Sequence, residues 1–590
     1  MRVLLLAFLI QSFIIKADYL ISSSSGITEG NIKNKVIYWN DIPYAHPPIG
    51  DLRWKAPREI INSDLKIEPK DNNFCIQETS SLGGSAQFSE EDVSGSEDCL
   101  YLDILAPHDN EISNKLPVMF WIHGGGNTSG LKDLYDFSEM VRKHDVIIVR
   151  INYRLGPFGW FTHPAIQDLQ EGIDQTSNFG TLDIIAALDW VQKNISLFGG
   201  DKDNVTIFGE SAGGHNVYSL IASKKAKGLF HKAIAMSGYT TSISQKDAYK
   251  QNKKSSTSDY SSWEVVNNIT NGNQADMSKE EIRKTLLSLS GKEFFEIYAN
   301  RESYQELPLL TRDDIVIPAI GLREALSKNE LINNVPLIAG SNADEVKLWL
   351  ATAEYFVDLE YSFIGSILNI PKVKLNNEDA FEAFNYYRSA SWKIRGVDEP
   401  LRSLHEAKNT NLYAYRFDWD DHRRRIVGDF KKLIGAAHAT EIPLLAGNTE
   451  LVGGFPLSNL IYPASFSKSY TSKNMMKFWS NFAKNGSPGI SSNSILWEPY
   501  DLNSNNPSFI ILDKKSELKM SSDSLSFKSL AEELYKDARV NELEKCVILL
   551  QMFTFVGDDI YENNIGHYPG TCDRNEASQF IKDNASFIEF

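Results

Sequence analysis

A single serine stands between two glycines in the segment TIFGESAGG, residues 206–214. The β-branched and aromatic residues before it predict a strand, and the small residues after it permit a very sharp turn. Such a turn presents the hydroxyl of Ser211 at an exposed apex, where it can act as a nucleophile. A G-x-S-x-G match alone is weak evidence in a chain with 37 glycines. A nucleophilic serine also needs a base and donors for an oxyanion.

Donors are predicted in the segment WIHGGGN, where His123 is followed by Gly124, Gly125 and Gly126. Three consecutive glycines leave backbone N–H groups uncovered by side chains, which suits an oxyanion hole. The alternative is a flexible turn. The position directly after the apolar run 117–123 and before the serine favours the oxyanion hole.

The base is expected downstream in the order serine, acid, histidine, and the chain has 11 histidines. His215 follows Ser211 by one helical turn, but a sharp turn would direct the serine away from the helix body. His438 lies in GAAHATEIPLLAG, a stretch of small residues before a proline-bounded helix, from which an imidazole can reach across a site. The residues alone do not separate Glu345 from Asp344 as the acid.

These motifs lie among segments that occur in the same order in one known family. The segments are IPYAHPPIGDLRW (42–54), EDCLYLDIL (97–105), WIHGGG (121–126), NYRLGPFGW (152–160), NFGTLDIIAALDWVQKNISLFGGDKDNVTIFGESAGG (178–214), GSNADE (340–345) and WSNFAKNGSPG (479–489). On these segments the chain resembles the type-B carboxylesterase/cholinesterase family of α/β-hydrolases. The resemblance spans nearly the whole chain after its N-terminal segment.

The resemblance implies an α/β-hydrolase fold, with a large and mostly parallel sheet, helices on both faces and helical insertions. It implies hydrolysis of small-molecule esters without a cofactor or metal. By position it implies a nucleophile, an acid and a base at Ser211, Glu345 and His438, and oxyanion donors at Gly125, Gly126 and Ala212. Glu210 and Glu441 are interpreted either as groups that support the triad or as surface and capping residues. Arg53 and Glu97 are predicted to form a structural ion pair.

Several positions differ from the family pattern. In cholinesterases the first disulfide loop carries a tryptophan that receives a quaternary ammonium group. Here residues 76–98 contain no tryptophan and Phe88 is their only aromatic residue, so the resemblance is closer to general carboxylesterases and a choline ester is not the expected substrate. Asn127 stands where the family commonly has an aromatic residue, and Ala439 where glycine is frequent. Both changes are expected to alter the shape of the acyl pocket.

The elements that must position these residues are predicted by hydrophobic pattern. Near-continuous apolar runs alternate with helical patterns, which indicates a mostly parallel sheet covered on both faces, an α/β architecture. Strands are predicted at 117–123, 145–153, 205–208, 232–238, 335–341, 411–417 and 508–513, and helices at 181–195 and around Phe527, Leu530 and Leu534.

Chain length alone would suggest about four domains. The catalytic hypothesis favours a different organisation, because Gly124 and His438 must meet at one site although they are far apart in sequence. We therefore predict one α/β-hydrolase domain over residues 18–590, with residues 244–262 and 502–508 as exposed polar excursions.

Composition limits the partners and the compartment. The net charge of −17 repels nucleic acid and anionic membrane surfaces. An apolar stretch over residues 3–15 is too short to cross a bilayer and predicts a signal peptide over residues 1–17, so we expect a secreted or periplasmic protein, with an uncleaved anchor as the alternative. Four cysteines allow three pairings, and the sequence-local pairs are Cys75–Cys99 and Cys546–Cys572.

The chain contains sequons for N-linked glycosylation. They occur at Asn127, Asn194, Asn204, Asn268 and Asn584. The first lies inside the glycine-rich loop, where a glycan would block entry to the predicted site.

Two other functions are compatible with the motifs. A cell-surface adhesion or binding protein can keep this fold without catalysis, although such proteins usually lack part of the triad. A lipase, or a hydrolase of amides, carbamates or thioesters, would use the same triad with another pocket. The sequence does not predict the oligomeric state.

Overall fold

The computed structural model describes residues 19–61, 64–71, 73–80, 83–87, 89, 91–108, 115–249, 261–299, 310–360, 372–425, 428–450, 455–502, 507–555 and 558–584. The predicted signal peptide and Phe88 lie outside the described residues.

A 12-stranded sheet forms the centre of the molecule. In chain order its strands are β1 (Tyr19–Ser23), β2 (Gly26–Lys33), β3 (Val36–Pro43), β4 (Tyr101–Pro107), β5 (Leu116–Ile122), β6 (Ile147–Ile151), β7 (Gly200–Glu210), β8 (Lys232–Met236), β9 (Leu337–Asn342), β10 (Leu412–Phe417), β11 (Ser508–Leu512) and β12 (Lys519–Ser522).

The strand order across the sheet is β1-β2-β3-β4-β6-β5-β7-β8-β9-β10-β11-β12. Pairing is parallel from β6 through β11 and antiparallel at both ends. Because β5 and β7 are parallel neighbours, their carboxyl ends, which carry the glycine-rich loop and Ser211, meet at one edge of the sheet. The predicted α/β sheet is therefore present.

Helices cover both faces of the sheet. The longer ones are α1 (Ser138–His144), α2 (Phe179–Asn194), α3 (Ala212–Ala222), α4 (Ser262–Ile269), α5 (Lys279–Ser288), α6 (Gly291–Ala299), α7 (Glu378–Lys393), α8 (Glu399–Glu406), α9 (Phe455–Ile461), α10 (Phe466–Asn485), α11 (Phe527–Lys536), α12 (Glu542–Phe553) and α13 (Arg574–Asp583). Shorter helices include Lys347–Leu350 and Ile442–Ala446.

The alternating directions of the side chains along β5 explain why helices pack on both faces of the sheet. Val118, Phe120 and Ile122 share a buried cluster with residues of α2 and α3, whereas Met119 and Trp121 share one with residues of α1 and α10. Successive side chains of a strand point to opposite faces, so a strand buried on both faces must be apolar throughout. This is why the central strands read as uninterrupted apolar runs in the sequence.

Every strand predicted from an apolar run is present, with ends shifted by a few residues. The antiparallel strands β1–β3 have no sequence prediction, because serine, asparagine, glycine and lysine interrupt the apolar residues of 19–43 at short intervals. The amphipathic pattern near the C-terminus forms α11, whose apolar residues are buried. Part of the first predicted polar excursion, from 245, forms a short helix, and α4 begins at Ser262.

Both sequence-local cysteine pairs form disulfides, Cys75–Cys99 and Cys546–Cys572. The second disulfide ties α12 to the segment before α13. Among the described residues, no helix has the length and apolarity needed to cross a membrane.

Candidate active site

Ser211 lies at the turn between β7 and α3, a turn that we call the elbow, residues 209–213. Its backbone has φ 58° and ψ −122°, a conformation that non-glycine residues rarely adopt. The turn is held because the Ser211 amide donates to the carbonyl oxygen of Met236 over 2.9 Å. The side chain of Ser211 is half-buried rather than enclosed.

Glycines are required on both sides of the serine. A Cβ on Gly209 would lie 2.6 Å from the carbonyl carbon of Gly213, and a Cβ on Gly213 would overlap the carbonyl oxygen of Ile122. The elbow therefore packs backbone against backbone, both within itself and against the end of β5. This is the physical reason for the G-x-S-x-G spacing.

His438 lies against the carboxyl group of Glu345. The distance from Nδ1 of His438 to Oε2 of Glu345 is 2.6 Å, and both side chains are at least 95 % buried, with exposures of 5 % and 0 %. The backbone amide of His438 also donates to the carbonyl oxygen of Glu345 over 3.1 Å. A carboxylate at Nδ1 stabilises the tautomer with its proton there, which leaves Nε2 as a basic nitrogen.

Asp344, the alternative acid, has other partners. Its Oδ1 accepts a hydrogen bond from Asn385, and its Oδ2 accepts one from the amide of Ala436. The geometry thus separates two adjacent carboxylates that the residues alone did not separate, and it brings Glu345 rather than Asp344 to the histidine.

Two groups missed by sequence reasoning hold Glu345. The hydroxyl of Ser237 donates to Oε1 over 2.6 Å, and the amide of Asn342 donates to the same oxygen over 2.7 Å. These two bonds fix the orientation of the carboxyl group beside His438. The sequence feature that could have indicated Ser237 is its position directly after β8, the strand that lies beside β7.

The remaining nitrogen of His438 faces Glu210. Nε2 lies 3.1 Å from Oε1 of Glu210, but neither atom has a hydrogen-bond partner among the described residues. The hydroxyl of Ser211, the next residue in the chain, also makes no hydrogen bond to a described residue. In ligand-free active sites such bonds are often long or poorly aligned.

Two further buried carboxyl groups, Glu210 and Glu441, lie near the histidine. Burial, reinforced by the charge of Glu345, raises the pKa of Glu210 well above its ordinary value, although the amide of Ala439 opposes the shift. Burial, followed by the charges of Glu210 and Glu345, raises the pKa of Glu441 in the same way. Both carboxyl groups are therefore harder to ionise than ordinary glutamates, and neither is a surface residue.

Tryptophan rings flank the histidine, and sequence reasoning missed them. The ring centroids of Trp349 and Trp392 lie 5.1 Å and 4.7 Å from that of His438. Trp349 follows Glu345 by one helical turn, and Trp392 comes from the end of α7. These rings lower the local polarity and restrict the orientation of the imidazole.

The predicted oxyanion donors lie at the ends of two neighbouring elements. Gly125 and Gly126 follow β5 and have φ values of 95° and 63°, which glycine tolerates. A Cβ on Gly124 would lie 3.1 Å from the Cβ of Ser211, so this loop passes directly beside the serine. The amides of Gly125, Gly126 and Ala212 donate to no acceptor among the described residues.

The other histidine near the elbow has a structural environment. His215 is buried, its Nε2 lies 2.9 Å from the carbonyl oxygen of Thr241, and its ring stacks on Tyr239 at 4.5 Å. Burial lowers the pKa of His215 to about 4. His123 is likewise buried and stacked, on Tyr153.

Arg53 and Glu97 form the predicted ion pair, with two hydrogen bonds of 2.6 Å each. Arg53 also donates to the carbonyl oxygens of Leu286 and Leu289. The pair therefore ties the N-terminal region to α5 and the turn after it.

The side chain of Asn127 is fully buried, and its Oδ1 accepts a hydrogen bond from Asn216 over 2.8 Å. Its backbone is left-handed, with φ 60°. Ala439 has a similar φ of 65°.

No cluster of three or more histidine, cysteine, aspartate or glutamate side chains suitable for a metal ion occurs in the described part of the chain.

Comparison with known proteins shows the family and the fold. The model of the carboxylesterase family matches residues 18–391 and 397–528. The chain is 32% identical over 502 residues to para-nitrobenzyl esterase of Bacillus subtilis, covering 82% of this chain and 92% of that protein. It is 31% identical over 493 residues to carboxylesterase 1E of Mus musculus, covering 76% and 81%. A solved structure of PNB esterase superimposes with a TM-score of 0.62 at 26% identity, covering 86% and 98%.

The fold is thus that of the esterases with the α/β-hydrolase architecture, as predicted. The chain belongs to the carboxylesterase family and is a carboxylic ester hydrolase.

Proposed function

We propose that the protein is a serine carboxylesterase that acts through Ser211, Glu345 and His438 and forms an acyl-enzyme intermediate. The observation that carries the proposal is the 2.6 Å contact between Nδ1 of His438 and Oε2 of Glu345. This contact favours the tautomer of His438 with its proton on Nδ1. Nε2, on the side of the elbow, is then the nitrogen that receives the proton of Ser211.

In the first step the Ser211 hydroxyl attacks the ester carbonyl carbon, and its proton passes to Nε2 of His438. The electron pair of the carbonyl moves to its oxygen. The resulting oxyanion accepts hydrogen bonds from the amides of Gly125, Gly126 and Ala212, which have no other acceptor among the described residues.

In the second step the tetrahedral intermediate collapses. The bond to the alcohol oxygen breaks, and the proton on Nε2 passes to that oxygen, so the alcohol leaves neutral. Water then attacks the acyl-enzyme with His438 again as base, which releases the acid and restores the Ser211 hydroxyl.

Glu345 stabilises the imidazolium that forms in both steps. Its Oε1 accepts two hydrogen bonds, which hold the side chain in place, while Oε2 faces His438. Glu210 contributes differently. Burial raises its pKa well above the ordinary value, which disfavours a permanent ion pair with Nε2 of His438.

The proposed substrates are small neutral carboxylic esters. The curated relatives include one named for a para-nitrobenzyl ester, and residues 76–98 have no tryptophan for a quaternary ammonium group. We further propose that the enzyme is one domain over residues 18–590, exported through a signal peptide at residues 1–17 to a secreted or periplasmic location. The two disulfides support an oxidising compartment.

The test combines turnover with labelling. The purified protein is expected to hydrolyse p-nitrophenyl acetate and to acquire one organophosphate adduct, located on Ser211 by mass spectrometry. Ser211→Ala should remove both properties. Ser219→Ala, a change at another buried serine of α3, is the matched control and should keep them. Hydrolysis that survives in Ser211→Ala, or an adduct elsewhere, would exclude this nucleophile.

A further inference from the structure

The proposed oxyanion hole is assembled from two separate segments. One is the glycine loop, residues 124–130 after β5, and the other is the first turn of α3. Backbone amides from both segments must donate hydrogen bonds to the same oxygen atom, so the distance between the two segments has to be fixed. A misplacement of about 1 Å can cost about 100-fold in rate.

One side-chain contact joins these segments. Nδ2 of Asn216 donates to Oδ1 of Asn127 over 2.8 Å, and both residues have no exposed surface. Asn216 lies one helical turn after Ala212, on α3, and Asn127 comes directly after Gly126. Among the described residues this is the hydrogen bond that connects the glycine loop to α3.

The backbone of Asn127 is also anchored. Its carbonyl oxygen accepts a hydrogen bond from the amide of Gly156 over 2.7 Å, and the hydroxyl of Tyr153 lies 3.3 Å from Oδ1. The loop itself is tightened by hydrogen bonds from the amides of Thr128 and Ser129 to the carbonyl oxygen of Gly125. Asn127 is thus fixed relative to the loop on one side and to α3 on the other.

The residue type fits this position. Asparagine is among the few non-glycine residues that tolerate the left-handed backbone, here with φ 60°. An aromatic side chain, common in the family at this place, has no amide oxygen with which to accept from Asn216. A buried amide hydrogen bond is directional, so it fixes a distance more sharply than apolar packing does.

We propose that the Asn127–Asn216 hydrogen bond is a positioning device that sets the separation of the two sets of oxyanion donors. Asn127 and Asn216 are positioning residues, because neither touches the reacting atoms. The proposal rests on the proposed ester hydrolysis at Ser211.

The experiment is a double-mutant cycle with Asn127→Gly, Asn216→Ala and the double variant. Glycine keeps the left-handed backbone without strain, so the first change removes only the side chain. Each single variant should lose about 10- to 100-fold in kcat, with KM within about twofold. The double variant should lose no more than the worse single variant, because both changes remove the same bond.

A second readout separates positioning from stability. A trifluoromethyl ketone that forms a tetrahedral adduct at Ser211 should bind each variant more weakly, in proportion to the loss of kcat. Asn333→Ala is the matched control: this buried asparagine holds the other end of α3 by donating to the carbonyl oxygens of Leu220 and Ser223. It should lower the free energy of unfolding and leave kcat per labelled active site unchanged.

Unchanged kcat in Asn127→Gly, or losses that add in the double variant, would overturn the proposal. If Asn127→Gly fails to fold, Asn216→Ala alone gives the same test. Wild-type protein that hydrolyses no ester would instead reject the proposed function, so the two failures are distinguishable.

Discussion

His438 lies between two carboxyl groups with different hydrogen-bonding surroundings. Glu345 accepts three hydrogen bonds, from Ser237, Asn342 and His438 itself, whereas Glu210 has an oxygen with no partner among the described residues. Donors hold the first carboxyl group in place, whereas burial raises the pKa of the second. Chemically identical side chains can therefore take opposite parts at one histidine.

The first prediction separates the two neighbouring acids. Glu345→Gln should lower kcat by about 10³- to 10⁴-fold, because an amide can stabilise the wrong tautomer of His438 and cannot stabilise the imidazolium. Asp344→Asn should lose much less kcat, because this side chain contacts Asn385 and the backbone amide of Ala436 rather than the histidine. Steady-state kinetics on p-nitrophenyl acetate measures both. Equal losses in the two variants would contradict the assignment.

The sequence indicates the residues that we propose to carry the chemistry more clearly than the residues that hold them in place. Ser211 and the glycines are recognisable because their surroundings require glycine at fixed spacing. The acid needed the family resemblance, since Asp344 and Glu345 are adjacent. Ser237 and the asparagine pair could not be predicted, because single polar residues gain their role only when distant strands and helices meet.

At the level of elements, the elbow depends on close packing of β5, β7 and α3. Apolar runs predicted the central strands because a strand buried on both faces has no polar side. The apolar runs could not predict β1–β3, because one face of these strands is more exposed. They also could not predict the positions of α4 to α8 between β8 and β10. Helical insertions pack on surfaces that exist only after the sheet has formed, so local pattern does not locate them.

The second prediction tests this packing. Gly213→Ala should destabilise the protein by about 2 kcal/mol or more, because its Cβ overlaps the carbonyl oxygen of Ile122. The gain in helix propensity of about 1 kcal/mol is smaller than this cost. Gly566→Ala is the control, since a Cβ there meets no atom within 4 Å. Urea unfolding measures the free energy of unfolding of each variant. Equal losses in Gly213→Ala and Gly566→Ala would contradict the packing argument.

For the molecule as a whole, the site is a product of the complete sheet. Ser211 follows β7, Glu345 follows β9, and His438 comes after β10, so the proposed triad requires these parallel strands to be in register. The same assembly buries Glu210 and Glu441, which are expected to ionise readily in the unfolded chain. Global stability therefore depends on pH through groups at the site.

The third prediction concerns that dependence. The pKa of Glu441 is raised above its ordinary value of 4.5 in the folded protein, so the folded state holds a proton that the unfolded state has lost. The contribution of this group to stability is full below 4.5 and is lost as pH rises through the folded pKa. Glu441→Gln should reduce the fall in the free energy of unfolding between about pH 5 and pH 8.

Urea titrations at the two pH values measure the slope. Glu450→Gln, at an exposed glutamate a few residues away, is the control and should keep the wild-type slope. An identical slope in Glu441→Gln would mean that the carboxyl is already ionised in the folded protein.

The burial of Asn127 also governs how the protein can be produced. Asn127-Thr128-Ser129 is an acceptor sequence for an oligosaccharide, and cells that glycosylate modify such sequences while the nascent chain is still extended. A sugar on this nitrogen has no room between the glycine loop and α3, so a chain modified there cannot complete its fold. Expression in a glycosylating host should therefore divide the product into unmodified active enzyme and modified aggregate.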